Sequence, residues 1–137
     1  MESNFAVAEQ VLGWCYTAMG RGEEAVEHLQ RIAGTANSPT FYRSSLAQAL
    51  AVAGRKGEAE EILRELGAVR SHRYVPAFQL ALTCGSLGEK ERAFEYLRES
   101  LEERGWQLVF LGRDPRLDAL RDDPRFDDLL KKAGVET

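Results

Sequence analysis

A regular internal repeat is the feature that most constrains how this chain can fold. Gly20, Gly54 and Gly88 are evenly spaced, with a period of about 34 residues. When these glycines are aligned, residues of the same type or size recur without a gap in the columns Ala25, Ala59 and Ala93; Leu29, Leu63 and Leu97; Leu12, Leu46 and Leu80; and Gly13, Ala47 and Ala81. A fixed period of this length is typical of a stack of similar structural units, in which each unit buries its apolar faces against its neighbours.

Each repeat has the pattern of two helices joined by a glycine turn. Apolar residues recur at helical spacing before Gly20, as Ala8, Leu12, Tyr16 and Met19, and after it, as Ala25, Val26, Leu29 and Ile32. Glycine suits the left-handed turn that follows a helix end. The small residues at the helix crossing allow close approach, because a bulky side chain there would overpack the contact. We therefore predict three helical hairpins.

The columns resemble the tetratricopeptide repeat, whose motif consists of Trp, Leu-Gly, Tyr, Ala, Phe, Ala and Pro at fixed positions. The first repeat matches at Leu12, Gly13, Tyr16 and Ala25, and the later repeats match at Leu46, Ala47 and Ala59 and at Leu80, Ala81 and Ala93. The family's Trp position instead holds Glu9, Arg43 and Ala77, and its Pro position holds Asn37, Ser71 and Gly105. The resemblance implies an all-α, right-handed α-α superhelix, with hairpins at about 6–39, 40–73 and 74–105. The length of 137 residues predicts a single domain, 1–137.

The tail at 106–137 departs from the repeat. Asp114-Pro115-Arg116 is echoed nine residues later by Asp123-Pro124-Arg125. Asp before Pro is a helix-start signal, so we predict helices at about 115–121 and 124–133. We interpret the tail as a cap on the stack. Its covering residues would be Leu117, Leu120, Phe126, Leu129 and Leu130. The alternative is that Trp106 and Phe110 hold a ligand.

The tail also resembles the C-terminal end of tetratricopeptide regions in bacterial regulatory proteins. Those regions often follow a DNA-binding, nucleotide cyclase or kinase domain. The resemblance implies that this chain is the last module of a longer regulator or a stand-alone relative. The outer face of the first helix has no cap in the sequence, which favours either a preceding segment or a dimer contact there.

Composition and residue spacing argue against several classes of function. The net charge of −4 disfavours a general nucleic-acid binder, and no apolar run approaches the roughly 18 residues of a membrane span. No signal peptide is visible, so we expect a cytoplasmic protein. Cys15 and Cys84 are expected to be packed free thiols, and His28 is expected to face solvent. We therefore expect no enzyme, cofactor or metal site.

The family register places the first helix of each hairpin on a concave surface. The candidate partner-binding residues there are Gln10, Trp14, Thr17, Phe41, Gln48, Phe78 and Leu82. None of them is charged. One branch of the family holds the carboxylates of chaperone tails with cations, and the matching positions here lack them, so an acidic partner is not expected. We predict a protein-interaction module that binds an apolar protein segment. The alternative is a structural module that self-associates as a homodimer.

Overall fold

The computed structural model describes residues 4–34, 38–70, 75, 77–103, 117 and 120–133. These residues contain helices and turns but no β-strand, which confirms the predicted all-α class. The helices are α1 (Asn4–Ala18), α2 (Gly22–Ala33), α3 (Thr40–Val52), α4 (Lys56–Val69), α5 (Ala77–Ser86), α6 (Lys90–Glu103) and α7 (Pro124–Ala133). The chain divides into two compact units, Met1–Val75 with α1 to α4 and Pro76–Thr137 with α5 to α7.

The three hairpin turns have the same backbone structure. Gly20, Gly54 and Gly88 have φ angles of 78°, 83° and 80°, in the left-handed region. In the first turn, the N–H of Gly20 donates to the carbonyl of Thr17 at 3.1 Å, and that of Arg21 donates to the carbonyl of Tyr16 at 2.8 Å. The same two bonds recur at the equivalent positions of the second and third turns. These angles and hydrogen bonds confirm the prediction of glycine turns. Glycine suits the turns because any residue with a side chain would lose about 1 kcal/mol or more in this conformation.

Small residues bring the helices of the first unit close together. In this unit α1 packs on α2 and α3, α2 packs on α3, and α3 packs on α4. Ala25 and Ala59 are fully buried, as the repeat columns predict. A Cβ atom added to Gly13 would lie 2.4 Å from Cγ of Leu29, so glycine at this position leaves room for that leucine. The crossing of α1 and α2 thus depends on size rather than on polarity.

In the first two repeats, a buried charged residue with an ion-pair partner occupies the position where the family motif has Trp. Glu9 of α1 is buried and accepts a hydrogen bond from Nη1 of Arg31 at 3.1 Å. Arg43 of α3 is also buried and donates from Nη2 to both carboxylate oxygens of Glu65 at 2.7 Å. In both hairpins the partner lies the same number of residues further along the chain. The first residue of the pair is acidic in the first hairpin and basic in the second. In the third repeat this position holds buried Ala77.

The histidine in this region does not behave as the sequence suggested. His28 lies 3.2 Å from a carboxylate oxygen of Glu9 through Nδ1, and its ring stacks on that of Tyr16 with centroids 5.5 Å apart. The prediction that His28 faces solvent is therefore wrong, because its side chain is largely covered. The helical pattern did not reveal it, since the covering carboxylate comes from the other helix of the hairpin.

The second unit contains the third hairpin and the last helix. In this unit α5 packs on α6, and α7 packs on α6. Arg125 of α7 lies over the ring of Phe94, 4.5 Å from its centroid. The covering residues predicted for the tail are all buried, and α7 begins and ends where it was predicted. Most of the predicted helix at 115–121, together with Trp106 and Phe110, lies outside the described residues.

The predicted N-cap of α7 is present, and it makes the stability of this helix depend on pH. Oδ1 of Asp123 accepts the backbone N–H of Arg125 at 2.9 Å, and the guanidinium of Arg125 donates to both carboxylate oxygens. These hydrogen bonds, the side-chain ones first, lower the pKa of Asp123 to about 2 from an ordinary value of 3.8. Because the folded-state pKa is lowered, the stabilisation is present above about pH 4 and is lost as the pH falls towards 2.

This pH dependence can be measured with a variant that keeps the cap but cannot titrate. Asn is as good an N-cap as Asp, so we expect Asp123→Asn to fold normally. Between pH 4 and pH 2, the melting temperature of the wild-type protein should fall more steeply than that of Asp123→Asn. Parallel curves for the two proteins would contradict the assignment. A carboxyl titration of Asp123 followed by NMR gives the pKa directly.

Candidate partner-binding surface

Two aromatic side chains of the first unit meet where α1 packs on α3. Trp14 of α1 and Phe41 of α3 are both half-buried, and their rings contact edge to face with centroids 5.6 Å apart and planes at 68°. Aromatic pairs favour this geometry. The structure therefore brings together two of the predicted partner-binding residues and leaves part of each ring accessible. We call this pair the Trp14–Phe41 surface.

A buried hydroxyl group holds this surface in place. Oγ of Ser45 accepts hydrogen bonds from Nε2 of Gln10 at 2.8 Å and from Nε1 of Trp14 at 2.9 Å, and it donates to the carbonyl of Phe41 at 3.2 Å. The indole orientation is thus determined by a side chain from the neighbouring hairpin. Sequence reasoning did not give Ser45 this role. The sequence indicates it only weakly, because the same register position holds Val11 in the first repeat and Gln79 in the third.

The other candidate residues of α1 and α3 are covered. Gln10, Thr17 and Gln48 are buried. The hydroxyl of Thr17 donates to the carbonyl of Gly13 within its own helix at 2.7 Å. Of the three, Gln10 is linked to Trp14 through the Ser45 hydroxyl. Contact of these three residues with a partner remains a prediction.

The two candidate residues of the second unit are buried as well. Phe78 and Leu82 are 1% and 0% exposed, and both belong to α5. Their burial makes them part of the protein core around α5. Their contact with a partner also remains a prediction, so the accessible part of the candidate site consists of Trp14 and Phe41.

The two cysteines differ in their environment. Cys84 is buried in α5, as expected, but Cys15 is exposed on α1. The prediction of a packed Cys15 is wrong, because the side of α1 that carries it is not covered by another described helix. Helical periodicity shows which residues share a side, but it does not show which side is covered.

Other features of the described residues do not add a chemical site. An open pocket of about 480 Å³ lies among α2, α3 and α4, and Glu58, Glu61 and Glu65 are among its lining residues. Within the ranges described, no three His, Cys, Asp or Glu side chains are grouped so that they could bind a metal ion. In the same ranges, no helix is both long enough and apolar enough to cross a bilayer.

The repeated turns and hairpins define an α-helical repeat protein. Residues 77–104, which contain α5 and α6, match the family model described as the tetratricopeptide repeat. That match and the all-helical fold support a protein of the tetratricopeptide-repeat type. Searches of curated proteins and of solved structures gave no match. The resemblance of the tail to bacterial regulatory proteins remains a prediction.

Proposed function

We propose that this protein is a non-catalytic interaction module that binds an apolar protein segment at the Trp14–Phe41 surface. The match of residues 77–104 to a repeat family whose members generally bind proteins supports the broader role of an interaction scaffold. The observation that supports the particular site is the pair of half-buried rings on a hydrogen-bonded, uncharged support. The resemblance of the tail supports a further proposal, that the module works at the C-terminal end of a bacterial regulator.

The chemistry of the surface favours an apolar partner over an acidic one. Large aromatic side chains in partly covered positions supply much of the binding energy in protein interfaces. Because the hydrogen bond to Ser45 already orients Trp14, the indole loses little conformational freedom on binding. The residues that form the surface and its support carry no cation. A carboxylate bound there would lose hydration without gaining an ion pair.

Replacing Trp14 with alanine tests the site. The probe is a synthetic amphipathic peptide with leucines at helical spacing, and the comparison peptide carries an acidic C-terminal tail instead. We expect Trp14→Ala to weaken binding of the leucine peptide by about tenfold, which corresponds to about 1.4 kcal/mol. Isothermal titration calorimetry measures the affinity. Circular dichroism checks that the variant remains helical.

Two further variants serve as controls. Trp14→Phe keeps a ring but loses the N–H donor to Ser45, so we expect a smaller loss of affinity. Phe5→Ala removes an exposed ring on the opposite side of α1, and we expect no change. The proposal fails if Trp14→Ala binds as well as the wild type, if Phe5→Ala has the same effect, or if the acidic peptide binds more tightly.

Self-association is the second candidate function, and a different observation favours it. The described residues include large apolar side chains that are exposed, and all of these lie on α1 or directly after it. An exposed apolar surface of this kind is typical of a contact with another polypeptide.

A further inference from the structure

The outer side of α1 is apolar and exposed. Its five large apolar side chains have exposed fractions from 41% for Leu12 to 58% for Met19, and exposed Cys15 lies among them. The five are Phe5, Val7, Val11, Leu12 and Met19. We call these six residues the α1 outer face. None of them is charged. Their exposed fractions correspond to about 450 Å² of apolar surface, within the range of the largest patches on monomeric proteins, which are often functional.

Three polar residues of α1, Glu9, Gln10 and Thr17, lie on its covered side. Glu9 is paired with Arg31, and Gln10 is bonded to Ser45. A surface helix normally has the reverse arrangement, with its apolar side towards the core and its polar side towards water. Leaving the outer face in water therefore forgoes the hydrophobic stabilisation that its burial would give. The arrangement points to a cover for this face.

The same register positions show how such a face is used elsewhere in the first unit. One repeat later, the positions of Val11, Leu12 and Cys15 are buried in α3. They are occupied there by Ser45, Leu46 and Ala49. Helix α3 packs on α1 and α2. The side of a first helix that carries these positions is therefore suited to packing on other helices.

We propose that a second copy of this chain covers the α1 outer face, so that two copies associate through the same face about a twofold axis. Among the described residues, this face holds all the large exposed apolar side chains, so it is the matching apolar surface that a second copy offers. A face without charge also meets itself without repulsion between like charges. A twofold interface is closed, which limits the assembly to a dimer.

The area of the face agrees with a weak dimer. Two copies would bury about 900 Å² from these side chains, close to the roughly 1,000 Å² above which specific interfaces are usually found. An area in this range is typical of weak, transient contacts, so we expect a dimer that dissociates on dilution.

Cys15 provides a specific reporter of this interface. It lies near the centre of the face, because its neighbours at helical spacing are residues 8, 11, 12, 18 and 19. A twofold axis there brings Cys15 close to the partner's Cys15. The other cysteine of the chain, Cys84, is buried and should react slowly with a thiol reagent.

Mass in solution and cross-linking test the proposal, which rests on self-association as the second candidate function. Sedimentation equilibrium of the full chain should show a monomer–dimer equilibrium. A short bismaleimide should cross-link the wild type but not Cys15→Ser. Leu12→Glu should weaken the dimer at least tenfold, because it places two like charges in the apolar interface. Gln30→Glu adds the same charge at an exposed position of α2 and should leave the equilibrium unchanged.

The possible outcomes distinguish the α1 outer face as the dimer interface from self-association as the function. A protein that remains monomeric at several hundred micromolar overturns both the dimer and the self-association function. A dimer that survives Leu12→Glu and is not cross-linked through Cys15 keeps that function but overturns the α1 outer face as its interface. A monomer that binds a hydrophobic dye, and loses that binding in Leu12→Glu, has a different occupant on this face and also overturns the dimer. None of these results depends on the Trp14–Phe41 surface.

Discussion

Replacing Arg43 with alanine is expected to lower the free energy of unfolding by about 2–3 kcal/mol. The guanidinium is buried and donates to Glu65 and, at 2.8 Å, to the backbone carbonyl of Ala33. Alanine would leave that carbonyl and part of the Glu65 carboxylate without their partner and would create a cavity. The expected loss is below that of a fully buried pair, because Glu65 is partly exposed. Urea denaturation followed by circular dichroism measures it.

Two control variants separate the buried contact from the loss of a charge. Arg64 is exposed on α4, and we expect Arg64→Ala to change stability by less than about 0.5 kcal/mol. The double variant Arg43→Glu, Glu65→Arg exchanges the two charges. It should recover part of the stability that Arg43→Glu loses on its own, because Glu9 and Arg31 already have that arrangement in the first hairpin. An Arg43→Ala variant as stable as Arg64→Ala would contradict the prediction.

Replacing Gly22 with alanine is the second change with a large expected effect. A Cβ atom on Gly22 would lie 2.4 Å from the backbone nitrogen of Ala53 and 2.6 Å from its Cα. These are backbone atoms at the end of α3, so the contact cannot be relieved by turning a side chain. We expect Gly22→Ala to destabilise the protein by about 1–3 kcal/mol. The melting temperature and the urea midpoint should both fall.

A second glycine in a helix provides the matched control. A Cβ atom added to Gly67 of α4 would meet no atom within 4 Å. Alanine is the better helix former, so we expect Gly67→Ala to stabilise the protein by about 0.5–1 kcal/mol. The two substitutions are chemically identical but should have opposite signs. If Gly22→Ala also stabilises the protein, α2 and α3 do not approach as closely as the structure shows.

Some of the contacts in the first unit could have been predicted from the sequence, and others could not. Two pairs of opposite charges occur at the same spacing along the chain, Glu9 with Arg31 and Arg43 with Glu65. This spacing is visible in the sequence and indicates paired positions in a hairpin. The role of Ser45 had no such signal. Its hydroxyl bonds residues of a different hairpin, and the distance between hairpins depends on side-chain packing rather than on the period.

The repeated local structure of this protein follows from the order of its residues. One glycine at the same position of each repeat sets three left-handed turns, because a positive φ strains any other residue. Asp123 followed by Pro124 begins α7, because that pair satisfies the free N–H groups of a helix start. These outcomes depend on neighbouring residues and therefore follow from their order alone.

Which side of each helix is covered depends on how the helices pack together. Leu12 and Leu46 occupy the same register position, but Leu12 is exposed and Leu46 is buried. The same difference separates exposed Cys15 from buried Ala49. Burial depends on what packs against a side chain, and in the described part of the chain α1 packs mainly on α2 and α3, on its other side. A period in the sequence repeats the residues, but it does not repeat their surroundings.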